Sequence, residues 1–165
     1  IWKSAAKKVY LTVNTIEELT ASSGSIVVSE SVLKATNLDV SSSSGANLTI
    51  EVAATNLISS TSSGSSSQIE ANTTSVISTS SSGSSLNLSG ETTSHETSAS
   101  SGSSITAYKL VSKDVIAKVS SGASISVYAS SSIDGKASSG GGISFEGSPK
   151  KVTKNTSSGG RVSPR

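Results

Sequence analysis

The chain has 165 residues, a length that fits one domain, and its 13 basic and 11 acidic residues are spread along it for a formal net charge of +2. That balance makes no case for nucleic acid or an anionic membrane as partner. No apolar run approaches the roughly 18 residues that span a bilayer, and the absence of cysteine removes disulfides and thiolate metal sites.

Serine makes up about 28 % of the chain and apolar residues only 33 %, a composition that ordinarily reads as a flexible linker. Residue order argues against that reading. Ser-Ser-Gly occurs eight times, ending at Gly24, Gly45, Gly64, Gly83, Gly102, Gly122, Gly140 and Gly159, with gaps of 21, 19, 19, 19, 20, 18 and 19 residues. A period near 19 from end to end predicts a solenoid in which each repeat is one coil. Methionine is absent, even at position 1, so a processed or trimmed chain is expected, with any signal peptide outside it.

Each repeat opens with an alternating stretch. Three residues after the glycines stand Val27, Leu48, Ser67, Leu86, Ile105, Ile125, Ile143 and Val162; five after stand Ser29, Ile50, Ile69, Leu88, Ala107, Val127, Phe145 and Pro164. Polar residues such as Thr49, Gln68, Asn87, Thr106, Ser126 and Ser144 lie between them. Period-two alternation predicts a strand with one buried face, so Leu48, Ile50, Ile69, Leu86, Leu88, Ile105, Ile125, Val127, Ile143 and Phe145 are expected to be buried. A second stretch precedes the corners: Leu38 and Val40, Leu57, Val76, then Val115, Ala117 and Val119, then Ile133.

Two short strands per coil, joined at a glycine corner and stacked in parallel about 4.8 Å apart, give a rod on the order of 35–40 Å long. Parallel crossovers are overwhelmingly right-handed. The predicted fold is all-β: a single-stranded right-handed parallel β-helix of about eight coils of about 19 residues, one domain over residues 1–165. Its interior is narrow, with Ser78, Ser80, Thr97, Ala99 and Ala107 at inward positions, so hydrogen-bond ladders must carry much of the cohesion. The two serines before each glycine are expected to bond each other or to cap the corner.

The runs Gly83-Ser84-Ser85-Leu86-Asn87-Leu88 and Gly122-Ala123-Ser124-Ile125-Ser126-Val127 resemble repeats of the head GIN domain family, bacterial proteins described as putative autotransporter adhesins. The ending Gly142-Ile143-Ser144-Phe145-Glu146-Gly147-Ser148-Pro149, then Ser157-Ser158-Gly159-Gly160-Arg161-Val162, is similar to that family's closing coil. So is the opening Val9-Tyr10-Leu11-Thr12-Val13 through Leu19 to Ser22-Ser23-Gly24. The resemblance implies a β-helical fold, export to the cell envelope and no established enzymatic activity. It also implies a further amino-terminal stretch, with Ile1 beginning partway through the domain. It offers no catalytic residues.

The residues themselves assemble no catalytic constellation. His95, the only histidine, lies in the polar run 91–96 and reads as a solvated loop residue. A column six residues after the glycines points outward: Glu30, Glu51, Glu70, Ser89, Tyr108, Tyr128 and Glu146. Glu30, Glu51 and Glu70 read as solvated carboxylates or, alternatively, as a calcium site. Tyr108 and Tyr128, expected on adjacent rungs beside Thr106 and Ser126, read as a cross-strand aromatic pair or as a platform for a sugar or protein surface. The basic C-terminal coil, with Lys150, Lys151, Lys154, Arg161 and Arg165, reads as blunting of an exposed solenoid end.

The leading expectation is therefore an exported bacterial binding or structural module with no cofactor, contacting a glycan or surface protein. A polysaccharide lyase or hydrolase on the same scaffold is the alternative. It requires opposed carboxylates in a cleft, whereas gaps that vary by only three residues leave no room for large loops. An ice-binding rod would need regular threonine pairs on a flat face, and the Glu/Tyr column is irregular.

Overall fold

A computed structural model describes residues 7–165; the start of the chain at Ile1 lies outside the described residues. Eleven strands form one sheet wound into a parallel β-solenoid: β1 (Glu18–Ala21), β2 (Ile26–Val28), β3 (Leu33–Ser42), β4 (Asn47–Thr61), β5 (Ser66–Ser80), β6 (Ser85–Ala99), β7 (Ser104–Val119), β8 (Ser124–Ala137), β9 (Gly142–Glu146), β10 (Lys151–Thr156) and β11 (Arg161–Pro164). Every pairing is parallel, along the order β1-β3-β4-β5-β6-β7-β8-β9-β11, with β2 on β4 and β10 on β8. No helix occurs among the described residues. All ten apolar residues expected inside are buried.

The corners explain the Ser-Ser-Gly rhythm. At each one, the second serine and the glycine both have positive φ, 46–54° for Ser23, Ser44, Ser63, Ser82, Ser101, Ser121, Ser139 and Ser158 and 67–76° for the glycines. The residue after the glycine donates its N–H to the carbonyl of the first serine at 2.8–3.2 Å. Two positive-φ residues closed by that bond make a type I′ turn. A left-handed conformation costs an L-residue roughly 1–2 kcal/mol. Ladder bonds across the corner offset it: from Gly24 to Gly140, each glycine N–H donates to the left-handed serine's carbonyl in the next coil at 3.0–3.1 Å.

The capping hydroxyls belong to a different serine from the two expected. The pair before the glycine faces outward, while Ser65, Ser84 and Ser103, just after it, are buried. Ser84 Oγ contacts the carbonyls of Thr61 at 2.8 Å and Ser81 at 2.7 Å, and Ser65 and Ser103 repeat the pattern. Adjacent coils are thus tied through a side chain as well as through the backbone.

Past the first arm the alternation changes phase. Odd offsets from the glycine face inward as far as Thr92; the doublets Thr55-Asn56, Thr74-Ser75 and Thr93-Ser94 then turn outward, and even offsets face in. The last arm stacks three inward columns. The first is Leu38, Leu57, Val76, His95, Val115 and Ile133; the second is Val40, Ser59, Ser78, Thr97, Ala117 and Gly135; the third is Ser42, Thr61, Ser80, Ala99, Val119 and Ala137. Small residues in the second column suit the narrow interior.

Candidate functional site

His95 is not a solvated loop residue. It lies on β6, 1 % exposed, in the column otherwise filled by leucine, valine and isoleucine. Its Nε2 is 2.9 Å from Ser78 Oγ, which in turn donates to Thr97 Oγ1 at 2.9 Å. With the serine proton committed to Thr97, the imidazole donates from Nε2, and buried Nδ1 has no partner. Burial lowers the imidazole pKa to about 4. A neutral ring closed inside the rod has no substrate to serve.

The expected aromatic rung is also displaced. Ala107 pairs with Val127, but the register then jumps so that Tyr128 faces Val111, leaving Tyr108 in a bulge of β7. Both tyrosines are half-buried. The Arg165 guanidinium lies 5.0 Å from the centre of the Tyr108 ring and bonds Glu146 at 2.8 Å, and Glu146 is the rung neighbour of Tyr128. Gly147 has room for no more than hydrogen beside the Tyr128 ring and the Ala129 carbonyl. Thr106, Ser126 and Ser144 follow on consecutive rungs, with Ser126 and Ser144 hydroxyls 3.0 Å apart. The flank therefore gathers both tyrosines, but through Arg165 and Glu146 in place of direct rung pairing.

Of the three carboxylates, Glu51 and Glu70 are rung neighbours and exposed. Glu30 lies past the end of β2, outside the ladder, where Ser29 Oγ accepts from the Glu51 N–H at 3.1 Å. Among the described residues no three His, Cys, Asp or Glu side chains gather as metal ligands. The end of β2 at Val28 takes Glu30 out of the ladder column that holds Glu51 and Glu70.

Sequence reasoning missed a face ahead of the corners. Four residues before Gly102, Gly122, Gly140 and Gly159 stand Ser98, Lys118, Lys136 and Asn155, which are consecutive rungs of one outward column. They border a shallow groove of about 400 Å³ that continues to the corner serines Ser120, Ser138 and Ser157. Lys118 bonds Glu96 at 2.8 Å, which raises the ammonium pKa, first by that hydrogen bond and then by the charge attraction. On the neighbouring outward column Ile58, Ile77 and Ile116 are exposed. A second depression of about 370 Å³ lies between Asn72, Glu91 and Lys113.

Comparison with known proteins places this geometry. The family described as "Putative auto-transporter adhesin, head GIN domain" matches residues 1–74 and again 61–149. The chain belongs to that family. Among solved structures, a putative adhesin from Parabacteroides merdae superposes with a TM-score of 0.87 at 18 % identity over 90 % of this chain. A protein from Parabacteroides distasonis described as a putative lipid binding protein superposes with a TM-score of 0.81 at 15 % identity, also over 90 %. At those identities the likeness is one of fold. The chain spans 63 % and 61 % of the length of those two proteins. A comparison with curated proteins found none that matches.

Proposed function

We propose that this head GIN domain chain is an exported bacterial binding module of adhesin type, acting at the cell envelope through the outer flanks of the rod. Family membership supports the reading. The observation that carries it is the flank of Tyr108, Tyr128, Thr106 and Ser126. There, Arg165 lies over the half-buried Tyr108 ring and bonds Glu146, the rung neighbour of half-buried Tyr128, beside uncharged hydroxyls. Rings that present a face next to hydrogen-bonding groups suit a glycan or a protein surface. The enzyme alternative needs opposed carboxylates, and Glu51 and Glu70 lie side by side on one ladder.

The test is a Tyr108→Ala, Tyr128→Ala double variant, checked for fold by circular dichroism and screened on glycan and surface-protein arrays. Loss of at least tenfold in binding with the β-spectrum intact supports the assignment. Binding equal to that of the parent overturns it, and turnover of a polysaccharide abolished by Glu51→Gln or Glu70→Gln would replace it with the enzyme.

A further inference from the structure

The charge of this chain is ordered along its axis. Residues 113–165 hold eight basic and three acidic residues, whereas residues 1–112 hold five basic and eight acidic, which together make the net +2. Successive coils stack in sequence order, so the last third of the rod is electropositive and the rest electronegative. The shallow groove beside the last four corners begins at Ser98 and Ala99 and runs from there into the positive part.

We propose that this groove binds an acidic polysaccharide, a chain of sugars carrying carboxylates or sulfates at intervals, laid along the rod axis. Ser98, Lys118, Lys136 and Asn155 repeat about 4.8 Å apart on adjacent rungs, a spacing close to one pyranose residue of an extended chain. Lys136 forms no ion pair among the described residues, so its ammonium is available to an incoming anion. Lys118 is held in place by Glu96 at 2.8 Å, and that carboxylate limits the net attraction.

The rest of the lining fits a sugar better than a denser polyanion. Hydroxyls of Ser120, Ser138 and Thr156 line the groove beside the Lys118–Lys136–Asn155 column and offer hydrogen-bond partners to a sugar's own hydroxyls. Nucleic acid and anionic lipid surfaces reward many phosphate contacts at once. This groove offers two lysines, one of them already paired. The site lies before the Ser-Ser-Gly corner and the tyrosine flank after it, so each stands or falls alone.

The probe is polygalacturonate, with neutral dextran, single-stranded RNA and phosphatidylserine vesicles as comparators. Affinity electrophoresis at low salt reads the retardation of the chain. The groove variant is Lys118→Ser, Lys136→Ser, because Ser98 already occupies the same column; the charge-matched control is Lys109→Ser, Lys113→Ser. Retardation by polygalacturonate and not by dextran is expected, at least tenfold weaker in the groove variant and unchanged in the control and in the tyrosine double variant. Equal loss in groove variant and control overturns the proposal, since net charge alone would then explain the binding. No retardation of the parent, or RNA or vesicles binding as tightly as polygalacturonate, overturns it too. Circular dichroism of both variants separates any loss of fold.

Discussion

Replacing His95 with valine tests the buried imidazole directly, because Val76 and Val115 fill the same column one coil before and after. Burial holds the His95 pKa at about 4 against an ordinary 6.5, so folding favours the neutral ring. The stabilisation that depends on neutrality is whole above pH 6.5, declines as the pH falls, and is exhausted near pH 4. A gap of that size corresponds to about 3 kcal/mol in full, of which roughly 2 kcal/mol is lost by pH 5. For a chain of this length that lowers Tm by roughly 4–8 °C between pH 7.5 and pH 5. Protonation would also place a donor at Nδ1, which has no acceptor. Thermal melts followed by circular dichroism across this range should show the wild type falling more steeply than His95→Val by that amount. Exposed carboxylates are common to both proteins, so the difference isolates the imidazole. Parallel curves from pH 7.5 to pH 4.5 would refute the argument.

Five further substitutions test the corners and the close approaches. Ser63→Asn should stabilise by a few tenths of a kcal/mol, since asparagine tolerates the left-handed conformation that Ser63 adopts at φ 52°, whereas Ser63→Val should lose more than about 1 kcal/mol; urea melts giving the opposite order would reject the type I′ assignment. Ser84→Ala should cost about 1 kcal/mol through its bonds to Thr61 and Ser81, a tolerable loss given alanine at Ala46 and Ala123. Gly90→Ala should cost more than about 2 kcal/mol, because its Cβ would lie 2.2 Å from the Ala71 carbonyl oxygen at φ 107°. Gly142→Ala, which meets nothing within 4 Å, should be nearly neutral. Similar melting for these two glycine variants would contradict the packing described.

The glycine offsets made the first arm legible and lost track of the last one. Offsets 3 and 5 lie on one face of a strand that starts at the corner, so alternation alone placed Leu48, Ile69 and Leu86 inside. Beyond offset 9 two consecutive residues turn outward and the inward parity flips, which a single repeat does not announce. The polar neighbours of His95 read as a loop, whereas its ring is an inward residue of β6. Yet Thr97 was assigned inward, and alternation puts the residue two before it on the same face. Aligning offset 12 across coils gives Leu57, Val76 and His95, and that column carries the missing signal.

Repeat length decided the tyrosine flank. The 20-residue gap from Gly102 to Gly122 holds one residue more than its neighbour, and the 18-residue gap that follows holds one fewer. Counting assigns neither difference to a position. The structure absorbs them between Ala107 and Val111 and between Ser112 and Asp114, where β7 and β8 leave register. Tyr108 is thereby pushed off the rung that counting from the glycine gives it, and its contact becomes Arg165.

The positive groove escaped notice for a different reason. Net charge is a sum over the whole chain, and in most folds distant segments intermingle, so the sum is a fair summary of the surface. In a solenoid each coil touches only its neighbours, and position along the sequence becomes position along the axis. A charge imbalance between two parts of the sequence is then an imbalance between two parts of the rod. Thirteen bases against eleven acids looks neutral, yet eight against three beyond residue 112 leaves that end of the rod positive. For repeat rods the informative charge is that of a window a few coils long, read beside the column that the lysines share.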